Sequence, residues 1–342
     1  MINPIDTTDE SALRAWHTAL VEGATAGRVE AAVMGLSDLK GMVAPREDRH
    51  HRLYAAVEDD RAVGTLLIDL PDLENRHLAE VDVSVVPEYR GRGLGGRLLE
   101  LATKVMEEEG RGTATGEVYV PGGYAPDAWP GAAFARSHGF DVVHEEDYQV
   151  LDLPVPERRL AALPEMTGEH RTLTWTGPCP EELLADYARM RTAMEREVPT
   201  GGLDTEPQVW DADRIRKEDL RRVDQGYTTI VSVARTGSGE WSGYSLMMVP
   251  AEGEGEVYQD DTLVMRAHRG NRLGVALKRR NLEALSRDVP EAKWVRTWVD
   301  PDNTPMLAVN DLFGFRTVER MLEVQRVLTS SPRLKAGDSH QR

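Results

Sequence analysis

The sequence predicts an α/β fold, α+β-like in its mixed sheet, laid out as two similar domains in tandem. Three observations carry this. Residues 80–98 read EVDVSVVPEYRGRGLGGRL and residues 259–277 read QDDTLVMRAHRGNRLGVAL. Each is an extended run, then Arg-Gly, then a short turn, then a helix-forming run, and Arg90 and Arg269 stand about half a chain apart. A length of 342 residues sets a prior of about two domains. Segments alternating with period 2 are interleaved with runs of helical period throughout.

The elements follow in order. Residues 10–21 are helical in pattern, with Leu13, Trp16, Leu20 and Val21 near helical spacing, and a second helix is expected over 31–40. Residues 53–57 and 62–70 read as strands joined at Glu58-Asp59-Asp60. Residues 78–86 alternate, with Val81, Val83 and Val85 on one face and Glu80, Asp82 and Ser84 on the other, and Pro87 ends the strand. A helix over 94–109 carries a Leu98, Leu101, Ala102, Val105 stripe. A strand at 113–120, a short helix at 131–137 closed by Gly139, and a strand at 142–153 complete the half. The second half repeats the plan: strand 173–175, helices 181–196 and 211–225, a hairpin of 227–234 with 241–250, strand 256–265, helix 273–287, strand 293–299, helix 304–312 and a last strand to 327. Prolines between 154 and 168 resist helix and central strand. The expected division is a first domain at 1–156, a linker at 157–168, a second domain at 169–330 and a flexible tail at 331–342.

The chain has 40% apolar residues, enough for two cores, and no apolar run of about 18 residues that would span a membrane. The N-terminal residues lack a signal-peptide pattern, and one cysteine, Cys179, excludes an internal disulfide framework. A cytoplasmic location is the simplest reading. The formal net charge is −17, carried mostly by the first half. Such a field repels nucleic acid and attracts cationic small molecules. No histidine spacing suggests a metal site.

The turn Arg90-Gly91-Arg92-Gly93-Leu94-Gly95-Gly96 follows a strand and opens a helix. A helix start presents unpaired backbone N–H groups and partial positive charge, and glycines let them approach an anion closely. This is a cradle suited to a pyrophosphate, with Arg92 and Arg97 placed to add charge-assisted contacts. A P-loop would need Gly-Lys-Ser/Thr, which is absent, and a dinucleotide fingerprint would need a preceding βαβ unit rather than a meander.

These residues resemble motif A of the GNAT superfamily of N-acetyltransferases, whose core is Arg or Gln, two residues, Gly, one residue, and Gly or Ala. Arg90, Gly93 and Gly95 match all three positions. Residues 303–315, from Asn303 to Gly314-Phe315, resemble the superfamily's motif B, and so does the shorter helix ending at Gly139-Phe140. The resemblance covers most of the chain twice over. The second copy departs at Arg272, which stands where the first has Gly93, while Arg269, Gly270 and Gly274 are kept and Lys278, Arg279 and Arg280 lie just beyond.

The resemblance implies direct acetyl transfer from acetyl-CoA, as co-substrate and without a metal, to a primary amine; the acidic first half favours a small cationic acceptor, with protein N-terminal or lysine acetylation as the alternative. Ser84, Val85 and Val86, and Leu263, Val264 and Met265, are then expected to pair with the pantetheine arm. The diphosphate falls to Arg90, Arg92, Gly93, Leu94, Gly95, Gly96 and Arg97. In the second half it falls to Asn271, Arg272, Leu273, Gly274 and Val275, with Asn303 from motif B. Some superfamily members carry the base ten residues before the motif arginine: Glu80 here, against Gln259, which cannot act as a base. Asp82 is the alternative, with Asp260 and Asp261 in the second half. A water-facing strand carboxylate explains Glu80 equally well. The tyrosine that often protonates the thiolate is replaced by Ala135 and Asn310, so the general acid stays unassigned. The competing reading is a non-catalytic acyl-CoA-binding or regulatory protein. Neither the acceptor nor the oligomeric state is encoded in these motifs.

Overall fold

The computed structural model describes residues 1–328, so the expected tail at 331–342 lies outside the described residues. The first half runs β1 (Ile2–Pro4), α1 (Glu10–Thr25), α2 (Leu36–Val43), β2 (Arg49–Glu58), β3 (Arg61–Pro71), β4 (Leu78–Val85), α3 (Leu94–Glu108), β5 (Thr113–Pro121), α4 (Pro130–Ser137) and β6 (Asp141–Asp152). A short α5 (Glu157–Ala161) follows. The second half repeats the order with β7 (His170–Thr176), α6 (Leu184–Met194), α7 (Ala212–Asp224), β8 (Tyr227–Thr236), β9 (Trp241–Pro250), β10 (Glu256–Val264), α8 (Leu273–Asp288), β11 (Trp294–Val299), α9 (Thr304–Phe313) and β12 (Arg316–Val327).

All strands among the described residues join one 12-stranded sheet in the order β1-β2-β3-β4-β5-β12-β6-β11-β10-β9-β8-β7. Each half builds its first five strands in place. The sixth strands are exchanged: β12 pairs β5 along the whole of Thr113–Pro121, and β6 pairs β11 from Trp294 to Val299. The two sixth strands pair with each other, antiparallel, at the centre. The division of the chain at 156 and 169 is thus one of chain order, whereas in space each half closes the other's sheet.

The seam between the halves is tied by buried charge. Arg28 donates to both carboxylate oxygens of Glu319 at 2.8 and 2.6 Å, with the two side chains 7% and 3% exposed. Arg296 donates to the Glu30 carbonyl at 2.8 Å, and Tyr148 stacks on Trp298 at 5.0 Å.

Two expectations need correction. The helix expected over 31–40 begins only at Leu36, after Gly35. Arg28 and Glu30 are drawn across the seam to Glu319 and Arg316, and the backbone between them and Gly35 is not helical. The segment expected to resist helix contains α5, because Pro156 sits at its N-cap, where no backbone N–H is needed. The apolar stripe of α3 is seated as its spacing requires: Leu94, Leu98, Leu99, Ala102, Val105 and Met106 are buried against β3 and β4. Leu101 packs only at the margin.

Candidate active site

Parallel pairing of β4 with β5 lasts three residues, Leu78–Glu80 against Thr113–Thr115, after which the strands diverge. The second half does the same, with Glu256–Tyr258 against Trp294–Arg296 for β10 and β11. A continuous cleft of about 3290 Å³ is lined from both wedges, by Glu80, Asp82 and Gly93 in one and by Asp260, Arg272 and Gly274 in the other.

At the first wedge, the chain leaves β4 through a short 3-10 turn at Pro87–Tyr89 and enters α3 at Gly93, which has φ +75°. Gly91 is also left-handed, at φ +73°, and no atom would meet a Cβ on either residue within 4 Å. Only glycine adopts this conformation without strain, and the turn stays open toward solvent. Ser84 and Val85 line the cleft, whereas Val86 is buried and donates its N–H to the Val63 carbonyl. Leu94 is a core residue. Gly95 lies under the Phe134 ring and Gly96 beside His138 Nε2. Arg90 does not point out of the turn: it donates to the Val85 and Gly23 carbonyls at 2.9 and 2.7 Å, tying β4 to α1. Arg92 donates to the Glu88 carbonyl and packs over Tyr89, and Arg97 is exposed.

The second turn is built differently. Arg272 occupies the left-handed position at φ 60°, which costs a side-chain-bearing residue roughly 1–2 kcal/mol. The linker lies across it: Thr167 N–H donates to the Asn271 carbonyl at 3.1 Å and Arg272 reaches the Glu165 carbonyl at 3.5 Å. Arg269 repeats the role of Arg90, donating to the Val264 carbonyl at 3.2 Å, and also binds Glu197 at 2.9 Å. Leu263, Leu273 and Val275 are buried, Met265 packs beside the α6 core, and Val264 and Gly274 line the cleft. Asn271 Nδ2 donates to the His268 carbonyl at 3.0 Å. Asn303 caps α9, its Oδ1 accepting from Met306 N–H at 3.2 Å.

Glu80 and Asp82 stand on the cleft face of β4. Both side chains are exposed to water by area yet stand within the cleft, and the protein crowded around them is the main force on their titration. Burial, with the nearby carboxylates Asp69 and Glu117, lifts Glu80 to about 7, against a smaller opposing pull from Arg49. Burial and Glu117 lift Asp82 to about 6, opposed by Arg28. Three carboxylates that sequence reasoning did not single out complete this floor. Glu117 on β5 is raised by burial although it accepts from the Tyr119 hydroxyl at 2.9 Å. Glu146 on β6 and Glu323 on β12 are each pushed up to about 7 by burial and by their carboxylate neighbours. Glu117 and Glu323 are directly opposite cross-strand partners, a placement of like charges that destabilises a sheet. The exchanged strands therefore bring five acids into one basin.

The second wedge is paired with cations instead, although burial and Asp261 still lift Asp260 to about 6 against Arg222 and Arg191. Gln259, at the position of Glu80, is buried and donates to the Leu246 carbonyl at 2.7 Å. A bulge in β10 between Gln259 and Thr262 displaces Asp260 and Asp261. Asp261 accepts from the Tyr244 hydroxyl at 2.7 Å and faces Arg191 at 3.5 Å, and Asp260 faces Arg222 at 3.5 Å. The Cys179 thiol is pushed up to about 12 by burial and Asp219. Among the described residues, no group of three or more His, Cys, Asp or Glu is placed to hold a metal, and no helix is long and apolar enough to cross a membrane.

Residues 28–121 match the family described as "Acetyltransferase (GNAT) family". A tandem GNAT protein from the clavulanic acid biosynthesis pathway, solved without AcCoA, superposes with a TM-score of 0.81 at 26% identity, covering 97% of this chain and 99% of that one. A GCN5-related N-acetyltransferase from Sphaerobacter thermophilus gives 0.67 at 17% identity, with 96% and 95% covered. A GCN5-related glucosamine N-acetyltransferase region of a fungal multi-domain GH3 β-N-acetylglucosaminidase gives 0.62 at 14%, covering 95% of this chain and 38% of that one. No curated protein sequence matches the chain. The architecture is similar to that of the tandem GNAT protein, and the match to the acetyltransferase family lies in the first half.

Proposed function

We propose that the protein transfers an acetyl group from acetyl-CoA directly to a primary amine of a small cationic molecule, and that the first half carries the chemistry. The observation that supports this most is the conjunction at the first wedge. A carboxylate that titrates near neutrality, Glu80, stands where the strands part, in the same cleft as a glycine turn open to an anion. The N–H groups at the start of α3, with Gly91, Gly93 and Gly95, suit a diphosphate, and the edge of β4 at Ser84 and Val85 suits an extended amide arm. Acetyl-CoA supplies the activated acetyl group as a thioester.

An ammonium has no lone pair, so the acceptor must lose a proton before it attacks. Glu80 is placed to take that proton, and a base titrating near 7 combines the required ionised form with useful proton affinity at neutral pH. Asp82 is the second candidate. Glu117, Glu146 and Glu323 make the basin attractive to positive charge and hold the rest of a cationic acceptor. The test is release of free CoA thiol from acetyl-CoA with a panel of mono-, di- and polyamines. Turnover that favours multiply charged amines and falls with Glu80→Gln is expected. CoA binding without turnover on any amine would leave a binding protein instead.

A further inference from the structure

The second half holds a cation that the reaction above does not use. Lys278, in the second turn of α8, is 2% exposed. Its single hydrogen bond among the described residues is to Asn310 Oδ1 of α9, at 2.7 Å. Asn310 is held in turn, its Nδ2 donating to Gln149 Oε1 of β6 at 2.8 Å, so the amide oxygen is fixed toward the lysine. The Phe315 ring lies 5.2 Å from Nζ. Lys278 takes part in none of the ion pairs among the described residues.

Burying an ammonium without a counter-ion costs several kcal/mol, and a fold seldom retains one without a use for it. Burial alone pulls this lysine down to about 7. An ammonium has three N–H donors and Asn310 takes one. Lys278 lines the cleft on the helix that begins at the second turn, as do Gly270, Arg272 and Gly274 of that turn. Asn310 stands at the position where the resemblance puts the thiolate-protonating tyrosine. What is missing beside Nζ is an anion, and the anion that acetyl transfer generates is the CoA thiolate. The first half has no such group: Ala135 matches Asn310, and both Ala135 and Leu99 of α3 are apolar and buried.

We propose that the second half is a binding site for free CoA, held as its thiolate against Lys278 and distinguished there from acetyl-CoA. This rests on the acyl-CoA reading of the fold, but it concerns the half that reading leaves without chemistry. The thiol proton leaves to Nζ when the lysine is neutral, or to solvent when it is already charged, and no covalent bond forms. A thioester has no such proton to give and presents no anion.

The experiment compares CoA, desulfo-CoA and acetyl-CoA by calorimetry at pH 7, on the whole chain and on Lys278→Met. On the native protein, CoA is expected to bind about tenfold more tightly than desulfo-CoA, the factor reached at pH 7 once the bound thiol titrates about one unit below the assay pH. The thiolate ultraviolet band is expected to appear on binding. Both are expected to vanish in Lys278→Met, and the desulfo-CoA comparison needs no variant should that protein fail to fold. Equal binding of CoA and desulfo-CoA, a preference that survives Lys278→Met, or acetylation of Lys278 seen by mass would overturn this proposal alone. Absence of binding by every CoA species would overturn it together with the acetyl-transfer reading.

Discussion

The two halves share one plan and differ in how they treat charge. In the first, the turn is glycine-built and open, and the carboxylates facing the wedge are lifted by burial and by other carboxylates, with Arg49 and Arg28 opposing. In the second, a left-handed arginine under the linker replaces the glycine, and Asp260 and Asp261 are met by Arg222 and Arg191. Glu218 shows the same contrast: Arg221 and Arg222 outweigh its burial and hold it down at about 2, while Glu80 is lifted to about 7. The same scaffold thus lifts one carboxylate toward neutrality and holds another down, depending on which side chains the neighbouring strands and helices bring up.

The sharpest way to break this comparison is to move the acid. Glu80→Gln is expected to lower kcat/KM by about 10²–10⁴-fold, the usual contribution of a general base, while Asp260→Asn leaves turnover nearly unchanged. In the native protein kcat/KM should climb as pH rises through about 7, because Glu80 must be ionised to accept a proton. A pH–rate profile unaltered by Glu80→Gln would remove Glu80 from the chemistry and move the role to Asp82.

A second test concerns stability. Glu323 titrates near 7 in the fold and near 4.5 in the open chain. The folded state therefore holds the extra proton, and stability is lost as pH rises from about 4.5 to about 7. Glu323→Gln should remove that loss. It is expected to stabilise the protein by about 1–2 kcal/mol at pH 8, after discounting for water in the cleft, and to do little at pH 4. Thermal melts at both values decide it, and equal shifts at the two would show that the raised titration of Glu323, from burial and its carboxylate neighbours, is not the cause.

The smallest expected effect lies in the turns. Arg272→Gly should stabilise by about 1 kcal/mol by relieving a left-handed side-chain-bearing residue, and Gly93→Ala should destabilise by a similar amount. Denaturant midpoints measure both. Effects of the same sign would mean that the two turns are not the backbone equivalents their φ angles indicate.

Much of this was readable from the chain itself. The repeated Arg-Gly turn locates both helix starts, and the Glu80, Asp82, Ser84 alternation places those residues on one face before any coordinates. The exchange of β6 and β12 was not readable. A strand's period-2 pattern says which face is buried, not which strand lies beside it, and β12 meets β5 with the same alternation it would show beside any partner. For that reason nothing in the sequence singles out Glu117, Glu146 and Glu323, which lie on three separate strands. Lys278 was noticed as one of three cations beyond the second turn. Its burial depends on α9 folding over it, which nothing local to Leu277–Arg279 announces.

The central pairing has a consequence for assembly. β6 brings Glu145, Glu146 and Asp147 to its partner, and β12 answers with Arg320 against Glu145 and Asp147 and with Arg316 against Asp152. Two copies of β6 laid together would set acid against acid, and two copies of β12 would leave the acids of β6 without their arginines. Severed at the connector, the fragments should therefore seek each other rather than their own kind: co-expressed pieces would re-form a one-to-one complex, and either piece alone would fail to make a stable homodimer.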